Sequence, residues 1–286
     1  MDCFSLRKLQ IIQLRLLLEV KRICDRHNIS YCLIGGTLIG AVRHKGFIPW
    51  DDDIDVGMPR ADYDKFREVC NDELPPSLYL RDASTSPDDY FLFTKLCLKN
   101  TANVGFGEPT SYGINIDIFP MDNIPSNSFT QFCQMKLQML LSYLVWSKAN
   151  TIHDICDNSA YPKLLTYPLL FLGKIIPKRL LISLSEVNLR RYQHKDTEYI
   201  VNLLTRYNPK NEIIKSSEFR DTIFVDYEEF QFPVPASYHT WLTNVYGDYM
   251  TPPPVEKRMG HSITSVNFGK YADVSLDPEK VMDIIL

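Results

Sequence analysis

The chain has 286 residues, of which 45% are hydrophobic and 23% are charged, and its formal net charge is −4. Such a composition is typical of a globular protein with a sizeable core and excludes a disordered or collagen-like chain. Because the charge balance is slightly acidic, the surface has no general attraction to nucleic acid or anionic lipid, and any phosphate must be bound by local basic groups or metal ions.

The cysteines and the apolar segments indicate the cellular context. Seven cysteines are scattered along the chain without a C-x-x-C pair, which argues against a disulfide framework and against a structural zinc site. The N-terminal segment contains basic side chains and lacks a small-residue cleavage site, so it predicts an amphipathic helix and not a signal peptide. No apolar run reaches the roughly 18 residues of a spanning helix. We therefore expect a protein of the reducing cytoplasm.

The first predicted elements lead into a pair of glycines. Apolar residues recur at helical spacing over residues 6–27, and Asn28 is a plausible stop. A short strand over residues 31–34 is followed by Gly35 and Gly36, and the pattern of residues 37–42 favours a short helix. The glycine pair therefore joins a strand to a helix.

An acidic strand and two further strands are predicted after this helix. Residues 50–57 predict a strand that is entered through an acidic turn, and residues 62–71 predict a helix. Residues 91–99 and 112–119 predict two more strands, of which the second alternates well between apolar and polar residues. The fold class is therefore α/β (α+β), with a mixed sheet flanked by helices.

The composition changes after Pro125. Leucine-rich helical stretches are predicted over residues 129–148, 164–176 and 180–192, and the last third is rich in aromatic residues and prolines and reads mostly as loops. We predict a catalytic core over residues 1–125 and a helical subdomain over residues 126–200. A C-terminal segment over residues 201–286 is expected to pack on the core and to complete the active site.

Two acidic residues of the predicted strand point to a metal site. Residues two apart on a strand face the same side, so Asp53 and Asp55 would present two carboxylates to one point. Like charges that close repel each other unless a cation lies between them, and Mg²⁺, or Mn²⁺ in its place, prefers such oxygen ligands. The alternative is an exposed acidic turn, but Ile54 and Val56 indicate a buried strand.

Other acidic residues carry weaker signals. Asp117 stands alone on the polar side of its strand and is the natural third carboxylate, although a solvated aspartate on an edge strand fits the periodicity equally well. Asp51 and Asp52 are interpreted as turn or capping residues, and Asp122, which follows Pro120, as a turn residue.

The glycine pair predicts a phosphate site. Glycines let a phosphate approach the backbone, a helix N-terminus offers N–H groups to an anion, and Thr37 adds a hydroxyl donor. The signal of Gly35, Gly36 and Thr37 is weak alone, because such turns are common, and the segment is neither a Walker loop nor a G-x-G-x-x-G motif. Beside an acidic strand it becomes strong.

These motifs together resemble a known family. The run from Gly35 to Asp55, the segment 116–122 and the Tyr246-Gly247-Asp248 triplet resemble the LicD family, which includes the fukutin-like transferases. The resemblance implies a nucleotidyltransferase-type fold in which Gly36 and Thr37 hold phosphate and Asp53, Asp55 and Asp117 bind the metal. It also implies transfer of a phosphorylated alcohol, such as phosphocholine, from a cytidine diphosphate donor to a sugar hydroxyl. The cysteine-based zinc site of fukutin-related members is not expected.

Several basic and aromatic residues are further candidates, each with a plainer alternative. Arg43 and Lys45 could neutralise donor phosphates or form a solvated basic turn. Lys95 interrupts an apolar strand, where an unpaired ammonium is costly, and is assigned to phosphate binding. Tyr246 and Asp248 could hold the nucleotide or the acceptor, although the tyrosine could equally serve packing. His44 and His261 could act as acid–base groups, but a structural role is favoured for both.

The expected function is metal-dependent transfer of phosphocholine or a polyol phosphate from a CDP-linked donor to a cell-surface glycan. The acceptor glycan could be attached to a lipid. One alternative is a nucleotidyltransferase that attaches a nucleoside monophosphate to a small molecule, and another is a nucleotide-binding scaffold without turnover. The leucine-rich helices most simply form core, with peripheral contact to the inner face of the membrane as the minority interpretation.

Overall fold

The computed structural model describes residues 2–86, 89–105, 112–149, 171, 173–195, 197–205, 207–258, 263–284 and 286. The helices are α1 (Cys3–His27), α2 (Gly35–His44), α3 (Arg60–Glu73), α4 (Ser128–Ala149), α5 (Lys178–Leu189), α6 (Ser216–Arg220) and α7 (Tyr238–Tyr246). The strands are β1 (Cys32–Leu33), β2 (Asp55–Pro59), β3 (Leu78–Arg81), β4 (Thr94–Leu98), β5 (Ala102–Gly105), β6 (Asn115–Ile124), β7 (Tyr199–Val201), β8 (Ile214–Lys215), β9 (Thr222–Tyr227), β10 (Phe230–Pro235) and β11 (Ile263–Asn267).

A mixed sheet organises the fold. Its strands follow the order β1-β2-β6-β4-β3, and β7 pairs with the distal part of β6 and with β8. The β2–β6 pair is parallel, and β1, β3, β4, β7 and β8 join the sheet in antiparallel pairs. The predicted α/β fold class, a mixed sheet flanked by helices, is therefore confirmed.

Helix α1 lies in the interior. It begins where the Asp2 side chain accepts a hydrogen bond from the Ser5 N–H, and it ends at Asn28 in the left-handed conformation, as the sequence predicted. Its buried residues occupy all faces and include the glutamines Gln10 and Gln13. A helix surrounded in this way must satisfy its polar side chains inside the core, which these glutamines do at the acidic segment described below.

Around the glycines and the acidic residues, two boundaries differ from the sequence prediction. Helix α2 begins at Gly35, so both glycines belong to its first turn. Strand β2 begins only at Asp55, and the prediction that Asp53 and Asp55 share one face of a strand was wrong. The reason is local: the Asp51 N–H bonds back to the Ile48 carbonyl in a turn, and the ladder to β6 begins with the bond from Asp117 N–H to the Ile54 carbonyl.

Asp122 is part of strand β6 and not a turn residue, which corrects the sequence interpretation. Its carboxylate is fully buried and accepts hydrogen bonds from Arg60 Nε at 2.6 Å and from a second Arg60 nitrogen at 2.9 Å. Two parallel bonds of this kind between a guanidinium and a carboxylate form the strongest common ion-pair geometry. The pair ties the start of α3 to β6.

The C-terminal third is more regular than its composition suggested. Strands β9 and β10 form an antiparallel hairpin, and helix α7 follows it, so the expectation of mostly loops was wrong. Phe232 and Val234 alternate along β10 and are fully buried in the same apolar cluster as α1. Pro233 and Pro235 obscured this strand in the sequence, but a two-stranded hairpin tolerates proline because the outer edges of its strands are unpaired.

The region after β6 contains two described helices. Helices α4 and α5 pack on each other through Leu141, Leu144, Val145 and Leu181. Of the predicted helix at 164–176, residues 164–170 and 172 lie outside the described part, and residues 173–175 are helical. The division into a core, a helical subdomain and a C-terminal segment stays a prediction. Among the described residues, no helix is both long and apolar enough to cross a bilayer.

Replacing Asp122 by alanine should lower the free energy of unfolding by about 3–5 kcal/mol, because the buried Arg60 guanidinium would lose its main partner. Urea denaturation of the wild type and the variant measures this difference. Asp226→Ala, at an exposed carboxylate on β9, is the control and should change the stability by less than about 0.5 kcal/mol. Equal effects of the two substitutions would contradict the structural role of the buried pair.

Candidate functional site

A cavity of about 1200 Å³ lies where the N-terminus of α2 meets strands β2, β6 and β4, with α7 on its far side. Most of the predicted site residues line it: Gly35, Gly36, Arg43, Asp53, Asp55, Lys95, Asp117, Tyr246 and Asp248. Thr37 and Lys45 are not among the lining residues. The structure thus gathers positions from residue 35 to residue 248 around one space.

The glycines allow carboxylates to lie against the N-terminus of α2. A Cβ atom at Gly35 would lie 2.8 Å from Asp55 Oδ2, and a Cβ atom at Gly36 would lie 2.9 Å from Asp51 Oδ2. Gly35 also has a φ of +58°, which glycine adopts without strain. The first N–H groups of a ten-residue helix and its positive dipole end therefore meet the cavity beside two acids.

Three consecutive carboxylates gather at the entry to β2. One carboxylate oxygen from each of Asp51, Asp52 and Asp53 lies within 4.8 Å of the others, and Asp51 and Asp52 are buried. The Gln10 amide donates to the Asp51 carbonyl, and the Gln13 amide donates to the Asp52 carbonyl, both at 2.9 Å. The turn interpretation of Asp51 and Asp52 therefore missed that their carboxylates join that of Asp53. Their adjacency was the available signal.

Asp55 is held by its backbone. Its N–H donates to the Thr37 hydroxyl oxygen at 2.8 Å, and its carbonyl accepts from the Ile34 N–H. Thr37 is buried, so in this structure it positions the acidic strand, and its predicted contact with phosphate stays a prediction. Across the parallel ladder, Asp55 faces Asp117 in register. The strand pairing therefore brings two predicted site residues side by side.

Asp117 and Lys95 form a buried ion pair. Lys95 Nζ lies 2.7 Å from Asp117 Oδ1 and 2.9 Å from Oδ2, and Asn115 donates an amide hydrogen to Oδ1. The antiparallel register of β4 and β6 places the two residues directly opposite each other. The sequence treated them as a phosphate ligand and a metal ligand, and the structure shows them as partners of each other.

Aromatic rings surround the Lys95 ammonium group. Its nitrogen lies 4.1 Å from the ring centroid of Phe91, 5.1 Å from that of Phe93 and 5.3 Å from that of Tyr112. Cation–π attraction therefore supplements the ion pair with Asp117 in stabilising this side chain inside the protein.

The basic residues Arg43 and Lys45, at the C-terminal end of α2, have different surroundings. Arg43 lines the cavity, donates to the Tyr249 carbonyl at 2.5 Å and has a pKa lowered by burial and by the nearby Arg258. Lys45 is exposed and caps the C-terminus of α2, at the opposite end from the glycines. Burial and Arg43 lower the pKa of His44, and His261 lies outside the described residues.

Tyr246 and Asp248 occupy the far side of the cavity. The Tyr246 ring lies edge-on against Tyr207, with centroids 5.2 Å apart. Burial first, then Tyr207, Glu212 and Asp55, raise the pKa of Tyr246. The exposed Asp248 carboxylate accepts a hydrogen bond from the Thr251 N–H, and contacts with Thr251 lower its pKa.

Glu212 is a lining residue that the sequence analysis missed. Its side chain is 8% exposed and accepts a hydrogen bond from the Thr205 hydroxyl. Burial raises the pKa of Glu212 to about 7, and the hydrogen bond from Thr205 opposes this shift. Among the described residues it has no cationic partner. No motif marks this position, which lies in a short 3₁₀ turn, Pro209–Glu212.

Replacing Glu212 by glutamine should flatten the dependence of stability on pH. The folded-state pKa of about 7 lies above the ordinary value of 4.5. The folded wild type therefore binds more protons between these values, and its free energy of unfolding falls as pH rises through them. Between about pH 5 and pH 8 this loss should reach about 2–3 kcal/mol and be absent in the variant.

Urea denaturation of both proteins at the two pH values measures this difference. Glu229→Gln, in the exposed turn between β9 and β10, should behave like the wild type. Parallel pH curves for wild type and Glu212→Gln would show that Glu212 titrates normally.

Comparison with known proteins identifies relatives of this chain. A family model described as LicD/FKTN/FKRP, nucleotidyltransferase domain, matches residues 28–140. The lipopolysaccharide cholinephosphotransferase LicD of Haemophilus influenzae is 31% identical over 264 residues, which cover 92% of this chain and 98% of that protein. An uncharacterised protein of Rickettsia typhi is 40% identical over 55 residues, 19% of this chain and 18% of that protein. The chain belongs to the LicD family, as the sequence motifs predicted.

Proposed function

We propose that this chain transfers phosphocholine, or a closely related phosphorylated alcohol, from a cytidine diphosphate-linked donor to a sugar hydroxyl of a cell-surface glycan. The observation that carries the proposal is the placement of Asp51, Asp52 and Asp53 beside the glycine N-terminus of α2 in one cavity. The Haemophilus relative, matched over nearly its full length, is named a lipopolysaccharide cholinephosphotransferase, which supports phosphocholine and a glycan as the two substrates.

The donor set fits a divalent metal ion. Asp51, Asp52 and Asp53 offer hard carboxylate oxygens within 4.8 Å of one another, which suits Mg²⁺ or Mn²⁺. When bound there, such an ion would neutralise a donor diphosphate and lower the pKa of an acceptor hydroxyl. Asp55 stays a predicted further ligand. The ligand role of Asp117 also stays a prediction, because both of its oxygens accept from Lys95.

The chain's own groups would bind and orient the two substrates. The N–H groups at the start of α2 would hold a phosphate, and the Lys95 ammonium would hold negative charge on the cavity wall formed by β4. Arg43 would contact the donor from the other end of α2. Asp55 or Asp117 would accept the proton of the sugar hydroxyl as general base, because both line the same cavity.

Asp53→Asn should lower turnover by about 10²-fold or more, because it weakens the neutralisation of charge at the reacting phosphate. The assay combines the protein, Mg²⁺, CDP-choline and an acceptor glycan, and separates the nucleotide products. The expected product is cytidine monophosphate, released only when acceptor is present. Asp226→Asn, on the exposed face of β9, is the control and should retain wild-type turnover.

The same assay separates the alternatives. Release of pyrophosphate from a nucleoside triphosphate, with the nucleotide attached to the acceptor, would replace the proposal by a nucleotidyltransferase. Binding of nucleotide without turnover of either donor would identify a non-catalytic scaffold. Normal turnover by Asp53→Asn would contradict the proposed site.

We also propose that the helical region contacts the inner face of the membrane, where a lipid-linked acceptor would lie. Several large apolar side chains of α4 and α5 are exposed: Phe129 is 73% exposed, Phe132 54% and Val187 68%. Residues 126–200 contain nine lysines and arginines against five acidic residues, although the whole chain has a net charge of −4. This combination of apolar and basic groups matches the surface of an anionic bilayer.

Replacing Phe129 and Phe132 by serine should release the protein from vesicles that contain anionic phospholipid, measured as the fraction that floats with the vesicles on a density gradient. We expect the floating fraction to fall several-fold, because each buried phenylalanine contributes about 1.5–3 kcal/mol. Phe224→Ser, at an equally exposed ring on β9, is the control. Unchanged flotation of the double variant would contradict the membrane contact.

A further inference from the structure

Glu212 lines the cavity together with several aromatic side chains of the C-terminal third. Tyr207 and Tyr246 meet edge-on there, with their centroids 5.2 Å apart. Trp241 donates its indole N–H to the Glu212 carbonyl at 3.1 Å and so fixes the 3₁₀ turn to helix α7. All four residues line the cavity. One acidic group and three aromatic rings therefore border the same part of the space.

Among the described residues, Glu212 has no cationic neighbour. Its carboxylate is more than nine-tenths buried, and its contact there is the Thr205 hydroxyl. A buried carboxylate is costly unless a proton, a cation or several hydrogen bonds compensate it. Asp117 shows how the same cavity meets this requirement elsewhere, with the Lys95 ammonium against both of its oxygens. At Glu212 a cationic group that enters the cavity can supply this compensation.

We infer that Glu212, Tyr207 and Tyr246 form the binding site for a quaternary ammonium group, which is the cationic end of the transferred alcohol. The inference rests on the proposed function, because it assigns the part of the cavity that reads the alcohol. A quaternary ammonium carries no N–H donor, so it is recognised by the faces of aromatic rings and by a nearby carboxylate and not by hydrogen bonds. Glu212 and the two tyrosines provide both features.

The proposed site shares one cavity with the phosphate end. Glu212, Tyr207 and Tyr246 line the same cavity as Gly35, where an added Cβ would lie 2.8 Å from Asp55 Oδ2. A two-carbon linker separates the phosphate ester oxygen from the nitrogen in phosphocholine, so we expect both charged groups of this ligand to bind inside that one cavity.

The aromatic cluster around Lys95, which lines the same cavity, is not available for this role. The rings of Phe91, Phe93 and Tyr112 already surround the Lys95 ammonium within 5.3 Å. A second cation at that point would be repelled by Lys95. The buried Glu212 carboxylate, which has no cationic partner among the described residues, therefore favours its own part of the cavity as the site of the quaternary ammonium group.

The experiment compares two ligands of the same shape and different charge. Isothermal titration calorimetry in the presence of Mg²⁺ measures the binding of phosphocholine and of 3,3-dimethylbutyl phosphate, in which carbon replaces the quaternary nitrogen. The wild type should bind phosphocholine at least about tenfold more tightly, since cation–π attraction and the Glu212 carboxylate act on the charged group alone. This comparison needs no variant and no turnover.

Variants then assign the preference to residues. Glu212→Gln keeps the shape and an acceptor for the Thr205 hydroxyl, and it should bind the two ligands with nearly equal affinity. Tyr246→Leu should weaken phosphocholine and leave 3,3-dimethylbutyl phosphate within about twofold. Glu229→Gln, at the exposed hairpin turn, is the matched control and should keep the wild-type preference.

The outcomes distinguish this inference from the proposed function. A preference for phosphocholine that disappears in Glu212→Gln supports the site even if no donor is turned over. Equal binding of the two ligands by the wild type, or no binding of phosphocholine, overturns it even if transfer of another phosphorylated alcohol is observed. A Glu212→Gln variant that loses cytidine monophosphate binding and keeps the preference would assign Glu212 to the pyrimidine base instead.

Discussion

The acidic segment at the entry to β2 concentrates more negative charge than a chain can hold without specific support. Asp51, Asp52, Asp53 and Asp55 lie within five positions, and like charges at this density repel one another. Part of this support comes from neutral donors that bind the backbone, because the Gln10 and Gln13 amides donate hydrogen bonds to the Asp51 and Asp52 carbonyls. Because these bonds go to the backbone, all four carboxylates remain among the groups that line the cavity.

This requirement explains features far from the site. A central helix surrounded by apolar residues has no reason of packing to carry buried glutamines, and α1 carries them where its surface meets the acidic segment. The C-terminal hairpin serves the same arrangement. Glu228, at its turn, forms an ion pair with Arg7 of α1 and accepts a hydrogen bond from the Phe47 N–H. Helix α1 and the hairpin therefore fix both ends of the loop between α2 and β2, which sets the position of the acids.

The sequence predicted what depends on local pattern and missed what depends on distant partners. Helix α1 and its end at Asn28 follow from periodicity and capping, the alternation of residues 112–119 located the first half of β6, and nine of the predicted site residues line the cavity. The first residue of β2 could not be predicted from the sequence, because the hydrogen-bonded pairing with β6, which begins at Asp55, defines it. Asp122 looked like a turn residue because its partner, Arg60, is 62 positions away. Glu212 belongs to no motif, and its burial depends on α7 packing against its turn.

Two buried acids of the cavity, Asp117 and Glu212, differ in what compensates their charge, and this difference bears on the ligand. Asp117 is compensated by Lys95 within the chain, and the ammonium group also lies against aromatic rings. Burial disfavours the charged form of Glu212, so ionisation of this group above its raised pKa lowers the free energy of unfolding. Evolution commonly retains such a cost where function requires it. A ligand that brings a cation to Glu212 and an anion to the N-terminus of α2 would make a favourable electrostatic contact at both places. An alcohol phosphate with a quaternary ammonium group has these two charges on one short molecule, whereas the phosphate of an uncharged polyol would bring no cation to Glu212.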